Sequence, residues 1–188
     1  MLNGEGEKVQ ADWLFNFVKA PVPIRPWLQL RMPTFGLADE EANTVVGYFE
    51  ALDRVQVPFV HLERAALATE NVEAGKLLTS KDYFDCFSCH QRGAVKPQGP
   101  PEGWAPDLAL AHARLGPEWI IKWLRDPQKV MPGTKMPSFF PGGPPDVLGG
   151  DDEAQIRALR DYILSLGMPE PSPQQAAHVV TGGPGTSQ

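Results

Sequence analysis

The chain has 188 residues, of which 42% are hydrophobic, and its formal net charge is −6 at pH 7. This acidic balance argues against nucleic acid as a partner, because phosphate binding requires a basic surface, and no apolar run approaches the roughly 18 residues that a membrane span needs. The 20 prolines and 18 glycines exceed average usage. They favour loops that surround another hydrophobic group over long regular elements.

Two helices are predicted in the N-terminal region. Apolar side chains at residues 11–20 fall on one helical face, with Asp12 as the predicted N-cap and two prolines after the segment as a stop signal. An extended segment is predicted over residues 26–33, and a second helix follows Asp39. The inner stripe of this second helix is predicted to consist of Ala42, Val45, Tyr48, Phe49 and Leu52.

The N-terminal region is repeated later in the chain. The pattern Trp-Leu-x-x-Phe-Val-x-x-Pro at 13–21 reappears as Trp-Ile-x-x-Trp-Leu-x-x-Pro at 119–127, and Arg-Met-Pro-Thr-Phe at 31–35 reappears as Lys-Met-Pro-Ser-Phe at 135–139. With an insertion around 141–145 in the second copy, the helices also align. The matched pairs are Val45 with Leu159, Tyr48 with Tyr162, and Leu52 with Leu166. One supersecondary unit is therefore predicted to occur twice.

Loops and helices alternate in the rest of the chain. The predicted order is a linker over 59–69, a helix over 70–78, a loop over 96–103, a short helix over 108–115, a helix from Pro117 to Leu124, a loop over 128–150 and a helix over 151–166. The last helix is the clearest, because it has an acidic first turn and is followed by Gly167. The tail over 169–188 is rich in Pro, Ser, Gln and Gly, which predicts a flexible segment.

The segment Cys86-Phe87-Ser88-Cys89-His90 places two thiols and an imidazole within five residues. Cys-x-x-Cys-His is the attachment signature of a c-type haem. Residues three apart lie on one helical face, so both thiols can reach the two vinyl groups at one porphyrin edge. His90 can then offer its imidazole to the iron. Within the chain, this motif precedes only the second copy of the repeat.

Other chemistries fit the motif less well. A structural zinc site needs four ligands, and Cys86 and Cys89 are the only cysteines in the chain. A thioredoxin-like dithiol should follow a strand of a βαβ unit, but the residues before the motif contain no Val/Ile-rich run. A simple disulfide remains a further alternative.

The second axial ligand is sought downstream of the motif, where Met131, Met136, Met168, His112 and His178 are candidates. The stretch Pro-Gly-Thr-Lys-Met at 132–136 resembles the axial-methionine loop of class I cytochromes c. Together with the Cys-x-x-Cys-His motif, the resemblance covers residues 70–168. It implies an all-α fold, a cytochrome c-like helical domain wrapped around one covalently bound haem c. Residues 1–58 would form a smaller, haem-less half-repeat in front of it.

The resemblance also implies roles for individual residues. Cys86 and Cys89 would form the thioether bonds, and His90 and Met136 would be the axial ligands. The carbonyl of Pro106 would accept a hydrogen bond from the His90 imidazole, which fixes the tautomer of a ligating histidine. Gly75 would pack against an aromatic residue of the last helix, Tyr162. Arg114 and Trp119 are added as candidate haem contacts.

The sequence departs from the family pattern in the loop after Met136, in the proline-rich loop over 97–106 and in the N-terminal half-repeat. These departures affect loop contacts and haem exposure, not the ligands. The half-repeat suggests that the chain is the C-terminal part of a di-haem cytochrome or a descendant that lost one haem.

The predicted function is outer-sphere transfer of single electrons and not catalysis of a reaction, because a six-coordinate iron offers no open site. The expected partners are redox proteins, with a membrane-bound respiratory or photosynthetic complex as one option. A haem enzyme with a displaceable methionine is the alternative.

Met1 to Glu5 show no secretory signal, whereas haem c attachment implies a periplasmic or other extracytoplasmic site. The sequence is therefore interpreted as a mature, trimmed or partial chain.

Overall fold

The computed structural model describes residues 4–29, 31–56 and 61–169. Within these ranges the chain forms eight α-helices and five short 3-10 turns, with no strand beyond isolated bridges. The predicted all-α class is confirmed. The helices are α1 (Glu5–Lys8), α2 (Ala11–Lys19), α3 (Asp39–Asp53), α4 (Thr69–Leu78), α5 (Ala111–Arg114), α6 (Pro117–Arg125), α7 (Pro127–Val130) and α8 (Asp152–Ser165).

Three predictions fall outside these ranges: the tail from residue 170 onward, the candidate ligand His178 within it, and the domain boundary at residue 58. Among the described helices, none combines the length and the apolar character that crossing a bilayer requires.

The larger core is organised by the contact between α4 and α8. A Cβ added at Gly75 would lie 2.2 Å from the carbonyl oxygen of Ala158 and 2.6 Å from Cβ of Tyr162. Only glycine permits this close approach of the two helices. Leu78 and Leu159 are fully buried beside the contact. Gly75 therefore packs on Tyr162 of the last helix, as the resemblance implied.

The N-terminal unit, residues 4–56 of the described chain, has a small core of its own. Leu14 and Val18 of α2 pack with Ala42 and Val46 of α3. The predicted inner stripe of α3 is partly wrong, since Tyr48 and Leu52 are 61% and 53% exposed, and Val46 is buried instead. The reason is that α3 packs on α1 and α2, which turns the face bearing Tyr48 and Leu52 to solvent.

Three local predictions are corrected. Helix α2 is capped by Gln10, and the carboxylate of Asp12 accepts the N–H of Trp13 inside the first turn. The segment predicted to be extended begins with bends and a turn, in which the N–H of Leu28 donates to the carbonyl of Arg25 at 3.0 Å. The loop after residue 127 contains helix α7, because Pro127 begins a helical turn and Asp126 caps it through the N–H of Lys129.

Backbone hydrogen bonds join the N-terminal unit to the rest of the molecule. The N–H of Gln10 donates to the carbonyl of Arg114 at 2.8 Å, and the N–H of Gly116 donates to the carbonyl of Lys8 at 2.9 Å. The side-chain amide of Gln10, a buried residue, donates to the carbonyl of Leu115 at 3.2 Å. The start of α2 is therefore set by the segment between α5 and α6.

The predicted linker also packs against the larger core. Leu67 is buried in that core. The guanidinium of Arg64 donates to the carbonyls of Ser165 and Met168, at 3.2 and 3.1 Å. This segment consequently closes the C-terminal end of α8.

Candidate haem-binding site

The two cysteines of the motif lie on one tight turn. Asp85 has a left-handed backbone conformation (φ 46°), and a 3-10 turn follows over Cys86–Ser88. The N–H of His90 donates to the carbonyl of Cys86 at 2.9 Å, which closes the turn. Neither cysteine forms a disulfide; Cys86 is half-buried and Cys89 is exposed. The turn thus presents two free thiols next to the imidazole.

The electrostatics of Cys86 argue against thiolate chemistry. Burial raises the pKa of its thiol to about 12; a backbone hydrogen bond opposes this shift, and the nearby Asp85 and Cys89 add to it. Redox-active dithiols and metal-binding cysteines depend instead on a lowered pKa and a thiolate. At neutral pH Cys86 is a protonated thiol, which suits a covalent attachment point better than a dithiol exchange centre.

The orientation of His90 is set by one hydrogen bond. Its Nδ1 lies 2.8 Å from the carbonyl oxygen of Pro106. Since a carbonyl can only accept, Nδ1 carries the proton and Nε2 keeps a free lone pair. Burial lowers the pKa of the imidazole, partly offset by the bond to Pro106 and the charge of Asp107. A neutral, oriented imidazole of this kind can serve as a metal ligand.

The loop that carries Pro106 is tied to the motif at two further points. The N–H of Ala105 donates to the carbonyl of Cys89 at 2.8 Å. The Asp107 carboxylate accepts the N–H groups of Gly93 and Ala109, both at 2.9 Å. Sequence reasoning missed Asp107, although an Asp directly before a short helix is a recognisable N-cap signal.

Met136 lies against the same core, at the end of a short loop. Its Sδ accepts a hydrogen bond from the indole Nε1 of Trp123 at 2.8 Å. The side-chain amide of Gln128 donates to the carbonyls of Thr134 and Met136, at 2.8 and 2.9 Å, and so holds the loop. Trp119 is buried and stacks on Trp123 with ring centroids 5.3 Å apart. The role of Gln128 could not be read from its sequence context.

The other methionines downstream of the motif have different surroundings. Met131 is 49% exposed, whereas Met168 is buried in the core. His112 is held by the carbonyl of Leu62, with its Nε2 at 3.0 Å from that oxygen. Of these candidates, Met136 is the one whose sulfur is held in a defined position by a hydrogen bond.

Arg114 lies at the junction with the N-terminal unit. Its guanidinium stands over the ring of Trp13, 5.2 Å from the ring centroid, and burial lowers its pKa. Its Nε is buried and has no hydrogen-bond partner among the described residues, and the same holds for Nε1 of Trp27. Buried donors without an acceptor are rare in folded proteins.

These residues fit a haem. Two free thiols on one turn can be attached to it, and a neutral imidazole with a free Nε2 and a thioether sulfur can ligate its iron. A cleft of about 730 Å³ lies between the N-terminal unit and α6 to α8. Of the residues that the sequence predicts to contact the haem, Trp119 alone lines this cleft among the described residues. Its charged groups include the ion pairs Lys122–Glu7 and Arg125–Glu153. The cleft is therefore separate from the candidate haem-binding residues Cys86, Cys89, His90 and Met136.

Comparison with known proteins gives one match. The model of a protein family described as Cytochrome c matches residues 72–167, which is just over half of the 188 residues. The matched segment includes Cys86, Cys89, His90, Pro106 and Met136, and it begins after the N-terminal unit. Among the curated proteins and the solved structures, no match was found.

Proposed function

The chain belongs to the cytochrome c family, and from this premise we propose that it transfers single electrons through one covalently bound haem c with His90 and Met136 as axial ligands. A bound haem c supplies an iron that alternates between the ferrous and ferric states. The thiols of Cys86 and Cys89 hold the porphyrin, and Nε2 of His90 holds the iron. The observation that carries the proposal is the hydrogen bond from His90 Nδ1 to the Pro106 carbonyl, which leaves Nε2 free.

The hydrogen bond from Trp123 supports Met136 as the second ligand. A thioether sulfur has two lone pairs, so accepting the indole N–H leaves one lone pair for a metal. The Gln128 amide restrains the backbone of the same loop. Since a positioned sulfur loses less conformational freedom on binding, this arrangement favours six-coordinate iron and outer-sphere transfer over an open, enzymatic site.

The surface near the site favours a partner with an acidic patch. Between Cys86 and Phe140, basic residues outnumber acidic ones by seven to four. Lys122 and Arg125 are engaged in ion pairs, and Arg114 lies over Trp13. The exposed basic residues that remain are Arg92, Lys96, Lys129 and Lys135. We infer that they steer a redox protein, either a soluble partner or a larger electron-transfer complex, in an extracytoplasmic compartment.

The first test is the visible spectrum of the dithionite-reduced protein, together with its intact mass. We expect the sharp α-band of low-spin haem c and a mass equal to the chain plus one haem that survives acid–acetone extraction. An extractable haem, or none, would overturn the proposal. Two haems per chain would overturn the count of one.

The second test addresses the axial methionine. We expect Met136→Ala to convert ferric haem to the high-spin form and to abolish the weak far-red band of methionine–iron bonding, because the ligand sulfur is removed. Met131→Ala is the matched control, since Met131 is exposed and only five residues away, and its spectrum should equal that of the wild type. An unchanged ferric spectrum of Met136→Ala would show that another group binds opposite His90.

A further inference from the structure

The segment before the Cys-x-x-Cys-His motif is in contact with the segment that follows Met136. Phe84 lies two residues before Cys86. Its ring centroid is 4.5 Å from that of Phe139 and 5.6 Å from that of Phe140. Phe140 is buried in the larger core, and Phe84 and Phe139 pack against that core. The loop that carries the predicted axial methionine therefore ends on the residues that lead into the attachment turn.

The segment before the motif is fixed on the end of α4. The N–H of Phe84 donates to the carbonyl of Leu78 at 3.1 Å, and the N–H of Asp85 donates to the carbonyl of Ser80 at 2.9 Å. Leu78 is fully buried. The ring of Phe84 thus has a rigid support, and its contacts restrain the segment that follows Met136.

A hydrogen bond nearer the surface joins the same parts of the molecule. The hydroxyl of Tyr83 donates to Oδ2 of Asp146 at 2.5 Å. This bond is the main cause that raises the pKa of the Tyr83 hydroxyl above its ordinary value, so the hydroxyl is protonated and can donate at neutral pH. Asp146 belongs to the long loop after Met136, in which the sequence departs from the family pattern.

The loop over 141–150 is itself anchored on α8. The side-chain amide of Gln155 donates to the carbonyls of Pro144 and Val147, both at 2.8 Å. Gln155 and Val147 are buried. Asp146 lies between the two anchored carbonyls, so its carboxylate is a fixed point to which Tyr83 can bind.

The first copy of the repeat shows what a shorter loop leaves exposed. There, residues 36–38 separate Phe35 from α3, and Phe35 is 63% exposed. In the second copy, residues 140–151 separate the aligned Phe139 from α8, and Phe139 packs against the core. The longer loop accompanies burial of the ring that follows the predicted axial methionine.

We propose that Tyr83 and Phe84 are positioning residues for Met136, because they clamp the loop that carries it. The clamp consists of Tyr83, Phe84, Phe139, Phe140 and Asp146. The inference rests on the proposed function. Each contact that must break before the loop moves away raises the free energy of local opening. A ligand from solvent can bind the iron only after Met136 has left, so its apparent affinity measures the fraction of open protein.

The test is a titration of the ferric, haem-loaded full chain with imidazole, which replaces the thioether at the iron without a change of oxidation state. Tyr83→Phe keeps the ring and removes the hydroxyl. We expect it to raise the imidazole affinity about two- to tenfold, as for loss of one hydrogen bond. Asp146→Ala removes the acceptor of the same bond and should have a similar effect. Because both changes break one bond, the double variant should bind imidazole no more tightly than either single variant.

Tyr48→Phe is the matched control, because Tyr48 is 61% exposed on α3 and lies outside the clamp. Its imidazole affinity should equal that of the wild type. An unchanged affinity of Tyr83→Phe, an equal rise in Tyr48→Phe, or fully additive effects in the double variant would overturn the clamp.

Hydrogen exchange gives a readout that needs no added ligand. The side-chain amide of Gln155 is buried and bonded to the loop over 141–150. In the diamagnetic ferrous state, this amide should exchange with solvent faster in Tyr83→Phe than in the wild type, because the loop opens more often. Equal exchange rates would overturn the clamp.

The weak far-red band of the ferric wild type separates failure of the clamp from failure of the proposed function. Absence of this band would overturn Met136 as the axial ligand, and this inference with it. Presence of the band together with equal imidazole affinities in all variants would overturn the clamp alone.

Discussion

Asp107 joins two segments of the site, the loop after the motif and the turn that follows Pro106, through one carboxylate oxygen. That oxygen caps the turn beginning at Leu108 through the N–H of Ala109, and it also binds the N–H of Gly93 in the loop after the motif. Pro106, whose carbonyl accepts from His90, is the preceding residue. The orientation of the His90 imidazole therefore depends on a side chain that forms no hydrogen bond with it.

Replacement of Asp107 tests this dependence. We expect Asp107→Ala to lower the free energy of unfolding by about 1–2 kcal/mol, as for loss of an N-cap, and to shift the reduction potential, because the carbonyl that orients His90 is no longer held. Asp107→Asn keeps an acceptor oxygen and should restore most of the wild-type potential. Potentials are measured by spectroelectrochemistry and stability by denaturant titration.

Asp151 provides the matched control. Its carboxylate caps α8 through the N–H of Ala154 at 2.9 Å and belongs to a different part of the molecule. Asp151→Ala should cost a similar amount of stability and leave the potential unchanged. If both variants shift the potential equally, the effect of Asp107 is a general loss of stability and not a positioning of His90.

At the scale of elements, α8 and α3 are the helices that the repeat aligns, and they have different neighbours. Helix α8 lies against α4, where Ala158 and Tyr162 contact Gly75. On α3, Tyr48 is exposed, and a Cβ added at Gly47 would meet no atom within 4 Å. The two helices have similar amphipathic patterns, but the aligned tyrosine is buried on α8 and exposed on α3.

Two glycine-to-alanine variants exploit this difference. We expect Gly75→Ala to destabilise the haem-loaded protein by about 1–3 kcal/mol or more, because its Cβ would force α4 and α8 apart. Gly47→Ala, in an open helical position, should be neutral or stabilising by up to ~1 kcal/mol, since alanine has the higher helix propensity. Denaturant-induced unfolding followed by circular dichroism measures both. A loss of stability in Gly47→Ala comparable with that in Gly75→Ala would contradict the assigned packing.

At the scale of the whole molecule, the N-terminal unit is joined to the cytochrome c domain by backbone pairing and by the buried side chain of Gln10. The segment around Val9 forms an antiparallel bridge with Leu115, and the Gln10 amide donates to the Leu115 carbonyl. Because these hydrogen bonds connect the backbones of both parts, we expect the two parts to unfold in one cooperative transition.

Gln10→Ala tests the coupling. Removal of the amide leaves the carbonyl of Leu115 with one partner fewer in a buried setting, and we expect a loss of about 1–3 kcal/mol. Gln56→Ala is the control, because Gln56 is exposed and its amide donates to the nearby carbonyl of Arg54; it should change stability by less than about 0.5 kcal/mol. Separate transitions for the two parts of wild-type protein would contradict the single cooperative unit.

The sequence by itself determined the family, the all-α class and most helix positions. The Cys-x-x-Cys-His motif, Pro117 at the start of α6 and Asp151 before α8 are signals carried by neighbouring residues, and local backbone geometry is dictated by neighbours. The assignment of His90 and Met136 as axial ligands stays a prediction, supported by the free Nε2 of His90 and the restrained Met136 loop.

Only the tertiary structure decided which faces are covered and which polar groups lack partners. Tyr48 was expected inside because it shares a helical stripe with buried residues, but a stripe does not say which helix will lie on it. Asp12 was expected as a cap, whereas the backbone of Gln10 is held by Arg114, far away in the chain. Likewise, the unpartnered N–H of Trp27 has no signature in the sequence. Burial and pairing are properties of contacts between distant segments, and these contacts are set by how the helices pack.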